Sequence, residues 1–129
     1  MKKFVFIALL VLPVVAGAVT VVPVFSRNSD IDGTAEQISS SGGTACKKLT
    51  ICNATETAGK NVWVQNSASA TTTTGYKLYP LAATAAGTNC VTIDAGTTRG
   101  KNEPDTIDAT TWYAVSPPTN VDVRMICIP

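Results

Sequence analysis

The chain contains no histidine in 129 residues. That excludes a Ser-His-Asp triad, a Cys-His pair and any zinc site built on imidazole. No G-x-S-x-G elbow occurs, so the many serines and threonines lack both the strained turn and the base that would activate one of them. No C-x-x-C spacing occurs, which removes the usual thiolate metal knuckle. Strong helix formers are scarce after residue 26. Leucine appears there only as Leu49, Leu78 and Leu81, and no apolar stripe of period 3.6 runs through that region. Charge is sparse too, at 15% of residues with a net +1. Outside residues 1–18, which hold Lys2 and Lys3, there are 8 basic and 9 acidic residues, and no basic patch stands out. Binding to nucleic acid therefore has no electrostatic footing, and nothing calls for a metal or organic cofactor.

What is present begins with a hydrophobic leader. Met1-Lys2-Lys3 precedes an uncharged run from Phe4 to Ser26. Two lysines, an apolar stretch and the small residues Ala16-Gly17-Ala18 form the pattern of a secretory signal, with cleavage leaving Val19 first. An uncleaved anchor is the competing reading. The stretch 4–25 is long enough to cross a hydrocarbon core of about 30 Å as a helix, with Lys2 and Lys3 holding the N-terminus cytoplasmic. Pro13 and Pro23 interrupt such a helix without forbidding it. Either way the segment that follows is expected on the far side of a membrane.

Residues 26–45 are polar and small, and read as a linker or arm. From residue 46 the chain reads as one β-domain, 46–129, of short alternating runs separated by turn residues. These runs cover 47–53, 61–65, 76–81, 90–94, 111–115 and 121–128. Leu49 and Ile51 share a face, as do Val62 and Val64, Val91 and Ile93, and Val121, Val123 and Met125. A loop rich in Gly, Asn, Asp and Pro spans 95–109. With no helix long enough for a crossover, this pattern predicts an all-β fold, a small antiparallel sandwich or barrel of five to six strands behind an N-terminal hydrophobic helix. A core of about 85 residues is marginal without cross-links or self-association.

The four cysteines are Cys46, Cys52, Cys90 and Cys127. In an exported chain an even count points to two disulfides; in a reducing cytosol it points to four buried thiols. Cys46 and Cys52 on one extended strand would lie about 20 Å apart, too far to bond. Two connectivities remain. Antiparallel pairing of the first and last strands favours Cys46–Cys127, and with it Cys52–Cys90.

Candidate chemistry is thin. Glu103, Asp105 and Asp108 cluster in the 95–109 loop, where acids this close usually stay solvated rather than form a glycosidase pair. Asp30-Ile31-Asp32-Gly33 has part of a calcium-loop pattern, without the distal spacing such a loop needs. Asn53-Ala54-Thr55 is a glycosylation triplet. Trp63, Tyr76, Tyr79, Trp112 and Tyr113 are candidates for a sugar-stacking face or an oligomer interface, although such aromatics more often complete a small core.

The order of segments from residue 48 also carries a resemblance. LTICN, NVWVQN, TTTTGYKLYPLAA, VTID and WYAVSPPTNVDVRMICI follow one another across 48–128. This succession resembles a family of small β-domains from the structural-gene regions of bacteriophages and prophages. The resemblance implies a virion component of decoration, spike, fibre or tail-associated type, acting as an assembly and without catalysis. The leader, the four cysteines and the 95–109 loop depart from that family. A virion containing a lipid membrane accommodates the leader as an anchor spanning residues 4–25, with the β-domain displayed outside. The expected partners are other copies of the chain or other virion proteins. The alternative is a secreted or periplasmic, disulfide-stabilised module that binds a glycan or another ligand.

Overall fold

The computed structural model describes residues 23–39, 45–96 and 106–129. Ten strands lie within them: β1 (Val24–Ile31), β2 (Glu36–Gln37), β3 (Ala45–Cys46), β4 (Lys48–Asn53), β5 (Val62–Gln65), β6 (Tyr76–Leu78), β7 (Cys90–Asp94), β8 (Ile107–Asp108), β9 (Tyr113–Val115) and β10 (Val121–Ile128). One four-stranded sheet has the order β1-β10-β4-β7 and a second the order β2-β9-β5-β6; β3 and β8 form a two-stranded ribbon. Every pairing is antiparallel. The fold is all-β, and neither sheet closes into a barrel among the described residues. Strands outnumber the expected five to six because β1, β2, β3 and β8 lie in segments read as polar arm or loop.

Alternation sets which side chains face inward. Along β10, Val121, Val123, Met125 and Cys127 are buried while Asp122, Arg124, Ile126 and Ile128 are more exposed. In β4, Leu49, Ile51 and Asn53 point in and Lys48, Thr50 and Cys52 point out. Val62 and Val64 of β5, Leu78 of β6 and Ala114 of β9 supply the second sheet's contribution, so buried side chains from both sheets form one core. Because the side-chain period of a strand is two, a one-residue slip would turn each of these rows to solvent. β10 is paired on both sides, with β1 through Phe25↔Ile126 and with β4 through Met125↔Ile51. The last segment of the chain is thus central in its sheet.

The segment 26–45 is not a plain linker. Val24–Ile31 is a strand paired with β10, and Glu36–Gln37 pairs with β9. Its polar composition conceals this because β1 is an edge strand whose half-buried residues are polar. Ser26 Oγ lies 2.9 Å from Ser39 Oγ, and Asn28 Nδ2 donates to the Gln37 carbonyl at 3.2 Å. Of the described residues in this stretch, only Ile31 and Ile38 enter the hydrophobic core. Residues 1–22, which hold most of the hydrophobic leader and its expected helix, lie outside the described residues, as do 40–44 and 97–105. The leader's last residues, Val24 and Phe25, are strand. No helix among the described residues is long and apolar enough to cross a membrane.

Two expected strands are shorter than their patterns. The run 76–81 leaves the sheet after Leu78, where Pro80 has no amide to donate, and Leu81–Ala86 forms a 3₁₀ segment. The run 111–115 begins only at Tyr113, because Asp108 caps a 3₁₀ turn at Ala109–Thr111.

Candidate functional site

Two disulfides close the domain. Cys46–Cys127 has a Cα separation of 5.3 Å and lies in the core, and Cys52–Cys90 has one of 4.1 Å and crosses directly from β4 to β7. These are the two pairs that the strand-end argument favours, and no cysteine is free. Asn53 donates its amide to Asn89 O, so Asn53 and Asn89 occupy a hydrogen-bonded position and the adjacent Cys52–Cys90 pair a non-bonded one. Opposed Cα atoms approach most closely at such positions, which brings two facing cysteines within bonding reach.

The glycosylation triplet is used internally. Asn53 is fully buried, and its Nδ2 donates to the carbonyls of Lys60 at 2.8 Å and Leu78 at 3.3 Å. Its Oδ1 accepts from Thr55 N at 3.1 Å, and Thr55 Oγ1 accepts from Asp122 N at 2.8 Å. Asn53 is therefore a polar tie between the sheets, with no amide hydrogen presented to solvent for a glycosyl group.

The acids act as local caps. Asp108 accepts from Thr110 N at 2.8 Å and Thr110 Oγ1 at 2.6 Å, and these bonds hold its carboxyl below its ordinary value. Asp32 receives the same pair of bonds from Thr34, at 2.7 and 2.6 Å, with the same effect. A carboxylate kept ionised by its own turn is a poor proton donor at neutral pH. Asp105 and Glu103 lie outside the described residues. Among the described residues no three His, Cys, Asp or Glu side chains gather as a metal site, and Asp30 and Asp32 do not converge on one.

The five aromatics divide into two groups. Trp63 projects from the outer face of β5, and Lys77 stands opposite it on β6. The Lys77 ammonium lies 5.2 Å from the Trp63 ring centre and 4.9 Å from that of Tyr79. Tyr113 shares this outer face, opposite Gln65 in the ladder. Trp112 and Tyr76 belong elsewhere. Trp112 is buried in the core, and Tyr76, exposed at the strand end, stacks against it with centres 6.4 Å apart. Trp112 Nε1 has no hydrogen-bond partner among the described residues. The structure does not gather all five into one sugar-stacking platform.

Sequence reading did not single out a second surface, on the outer face of the first sheet. Phe25 and Arg27 of β1 stand beside Ile126 and Arg124 of β10, and with Ser26 and Met125 they line an open groove of about 510 Å³. Asp122 lies between the two guanidinium groups. Its Oδ1 accepts from Arg27 Nε at 3.0 Å and its Oδ2 from Arg124 Nη2 at 3.0 Å. Partial burial pushes the Asp122 carboxyl up, but the hydrogen bonds and charges of Arg27 and Arg124 outweigh it and hold the group below its ordinary value. One carboxylate thus serves two cations, leaving an excess of positive charge beside an exposed phenyl ring. The signal was available in sequence as the alternation Phe25-Arg27 and Arg124-Ile126, but it needed the β1–β10 register to become a surface.

No family model matches this chain, and no curated protein or solved structure matches it.

Proposed function

We propose that this chain is a non-enzymatic structural protein of a bacteriophage-type virion, a two-sheet sandwich displayed from a membrane by its leader. The observation that carries this reading is the position of β1. The strand starts at Val24, within the uncharged stretch 4–25, so in sequence no polar linker separates that stretch from the sheet. A retained leader would hold the domain directly on the bilayer. The two disulfides fit a domain exposed to an oxidising compartment. The segments that carry the phage resemblance coincide with β4, β5, β6, β7 and β9–β10.

Fractionation of purified particles tests this. The reading expects the intact chain in the particle, released when detergent strips lipid, and expects self-association of the solubilised protein by light scattering. A chain found only as a soluble monomer in the medium, beginning at Val19, contradicts it.

The ligand-binding alternative draws on the outer face of the second sheet, where Lys77 brings Trp63 and Tyr79 together and Tyr113 lies opposite Gln65 on the same face. Against it, Lys77 already lies over Trp63 and Tyr79, so a sugar stacking there would have to displace an intramolecular cation–π contact. A glycan array on the oxidised protein separates the readings: binding lost in Trp63→Ala favours the module.

A further inference from the structure

The described residues expose five large hydrophobic side chains, and three of them gather at one end of the first sheet. Phe25 is 70% exposed; Val24 and Ile128 are each 37% exposed. The ladder brings them to one end of the sheet: Phe25, opposite Ile126, and Ile128, opposite Lys48, on the outer face, and Val24, opposite Cys127, on the other face of the edge strand. Exposed cations surround them. Lys47 precedes β4 and Lys48 opens it, and Arg27 and Arg124 flank the groove beside Phe25. Against these four stand two side-chain carboxylates, Asp94 at 3.4 Å from Lys48 Nζ and Asp122 between the arginines. Arg27 reaches Asp122 through Nε, and its terminal nitrogens have no partner among the described residues. The first described residue, Pro23, precedes β1 at this same end. In sequence only Pro23 stands between residue 22 and β1.

We propose that this end of the first sheet is a lipid-contact surface. Val24, Phe25 and Ile128 enter the interfacial layer of a bilayer, and Lys47, Lys48, Arg27 and Arg124 receive anionic phospholipid headgroups. The inference rests on the anchored reading above. Its physics is that of interfacial proteins generally: apolar side chains at headgroup depth, with basic residues drawn to the negative surface. A second copy added along the open edge of β1 is the competing occupant. That edge is poorly suited to it. A register break falls between Asn28 and Ile31, Asp30 N is turned to Asn28 Oδ1 at 3.0 Å, Arg27 and Asp30 place charge on the strand, and Pro23 precedes it. Bulges, charges and proline are the features that discourage strand addition at an edge.

Hydroxyl-radical footprinting of the full chain tests the proposal. The chain is reconstituted in phosphatidylcholine vesicles with and without phosphatidylglycerol, and Tyr76 in the second sheet serves as the internal reference. Phe25 oxidation is expected to fall several-fold relative to Tyr76 when phosphatidylglycerol is present. Lys47→Glu combined with Lys48→Glu should restore much of it. Equal oxidation of Phe25 and Tyr76 in the anionic vesicles overturns the proposal, as does protection unaffected by the double variant. Protection that also appears in detergent and rises with protein concentration assigns the surface to a second copy and overturns it. Intact mass of the same sample reports separately on the anchor. If the chain is recovered beginning at Val19, the anchored reading fails, and flotation of that form on phosphatidylglycerol vesicles decides the surface: flotation supports it and absence of flotation overturns it.

Discussion

Asn53 shows how much one polar side chain can contribute here. It lies at the end of β4, fully buried, and satisfies two carbonyls from the second sheet's side and one amide of its own turn. Asn53→Ala leaves those groups buried without partners, each an uncompensated desolvation. The variant should lose about 3 kcal/mol of stability, read as a lower denaturant midpoint at unchanged slope. A null result would mean that water replaces the amide. Asp122 makes a second residue-scale prediction. Its folded carboxyl lies below the ordinary value of 3.8, so the ionised form is favoured by folding. The resulting stability is complete above the unfolded value and is lost as pH falls through the lower folded value. Urea midpoints should therefore decline as pH drops below about 4, and Asp122→Asn should flatten that decline. Asp32 and Asp108 add to the decline with the same sign.

At the scale of elements, the strands with apolar alternation were legible and the polar ones were not. Residues 90–94 and 121–128 are strands with the bounds their patterns predict, because each has an unbroken inward row such as Val121, Val123, Met125. β1 was hidden because its inward-leaning side chains are Ser26 and Asn28, which satisfy themselves through Ser39 and Gln37 rather than through apolar contact. Composition cannot distinguish such an edge strand from a linker. The loop between β5 and β6 carries the next prediction. Gly75 has φ +84°, and a Cβ there would run into the Val64 carbonyl oxygen. Gly75→Ala should destabilise the protein by about 2 kcal/mol and loosen the β5–β6 pairing, seen as faster amide exchange at Val64 and Tyr76. The disulfides act at this scale too. Cys46–Cys127 closes a separation of 81 residues and Cys52–Cys90 one of 38. By the chain-entropy argument each contributes about 4 kcal/mol. Replacing either pair by alanine should lower the thermal midpoint strongly, and reducing both should unfold the domain in ordinary buffer.

At the scale of the whole molecule, two features combine: two disulfides that cross-link the β-domain and a first strand that begins at Val24, inside the uncharged stretch 4–25. The candidate surface was less legible than the fold. The aromatic residues named from sequence split between the core, as Trp112 does, and an outer face where Lys77 covers two of them. The more exposed surface, around Phe25, depends on strand register, which pairs residues nearly one hundred positions apart, as Arg27 with Arg124 shows. No local pattern carries that information. The proposed function requires that the leader stay attached and that the exported domain be oxidised. The most direct test is the intact mass, with and without thiol alkylation, of the chain recovered from the membrane fraction of an expressing bacterium. The expected product retains residues 4–25 and takes up no alkylating agent. A soluble product beginning at Val19 would contradict the anchor, and uptake at the four cysteines would contradict export.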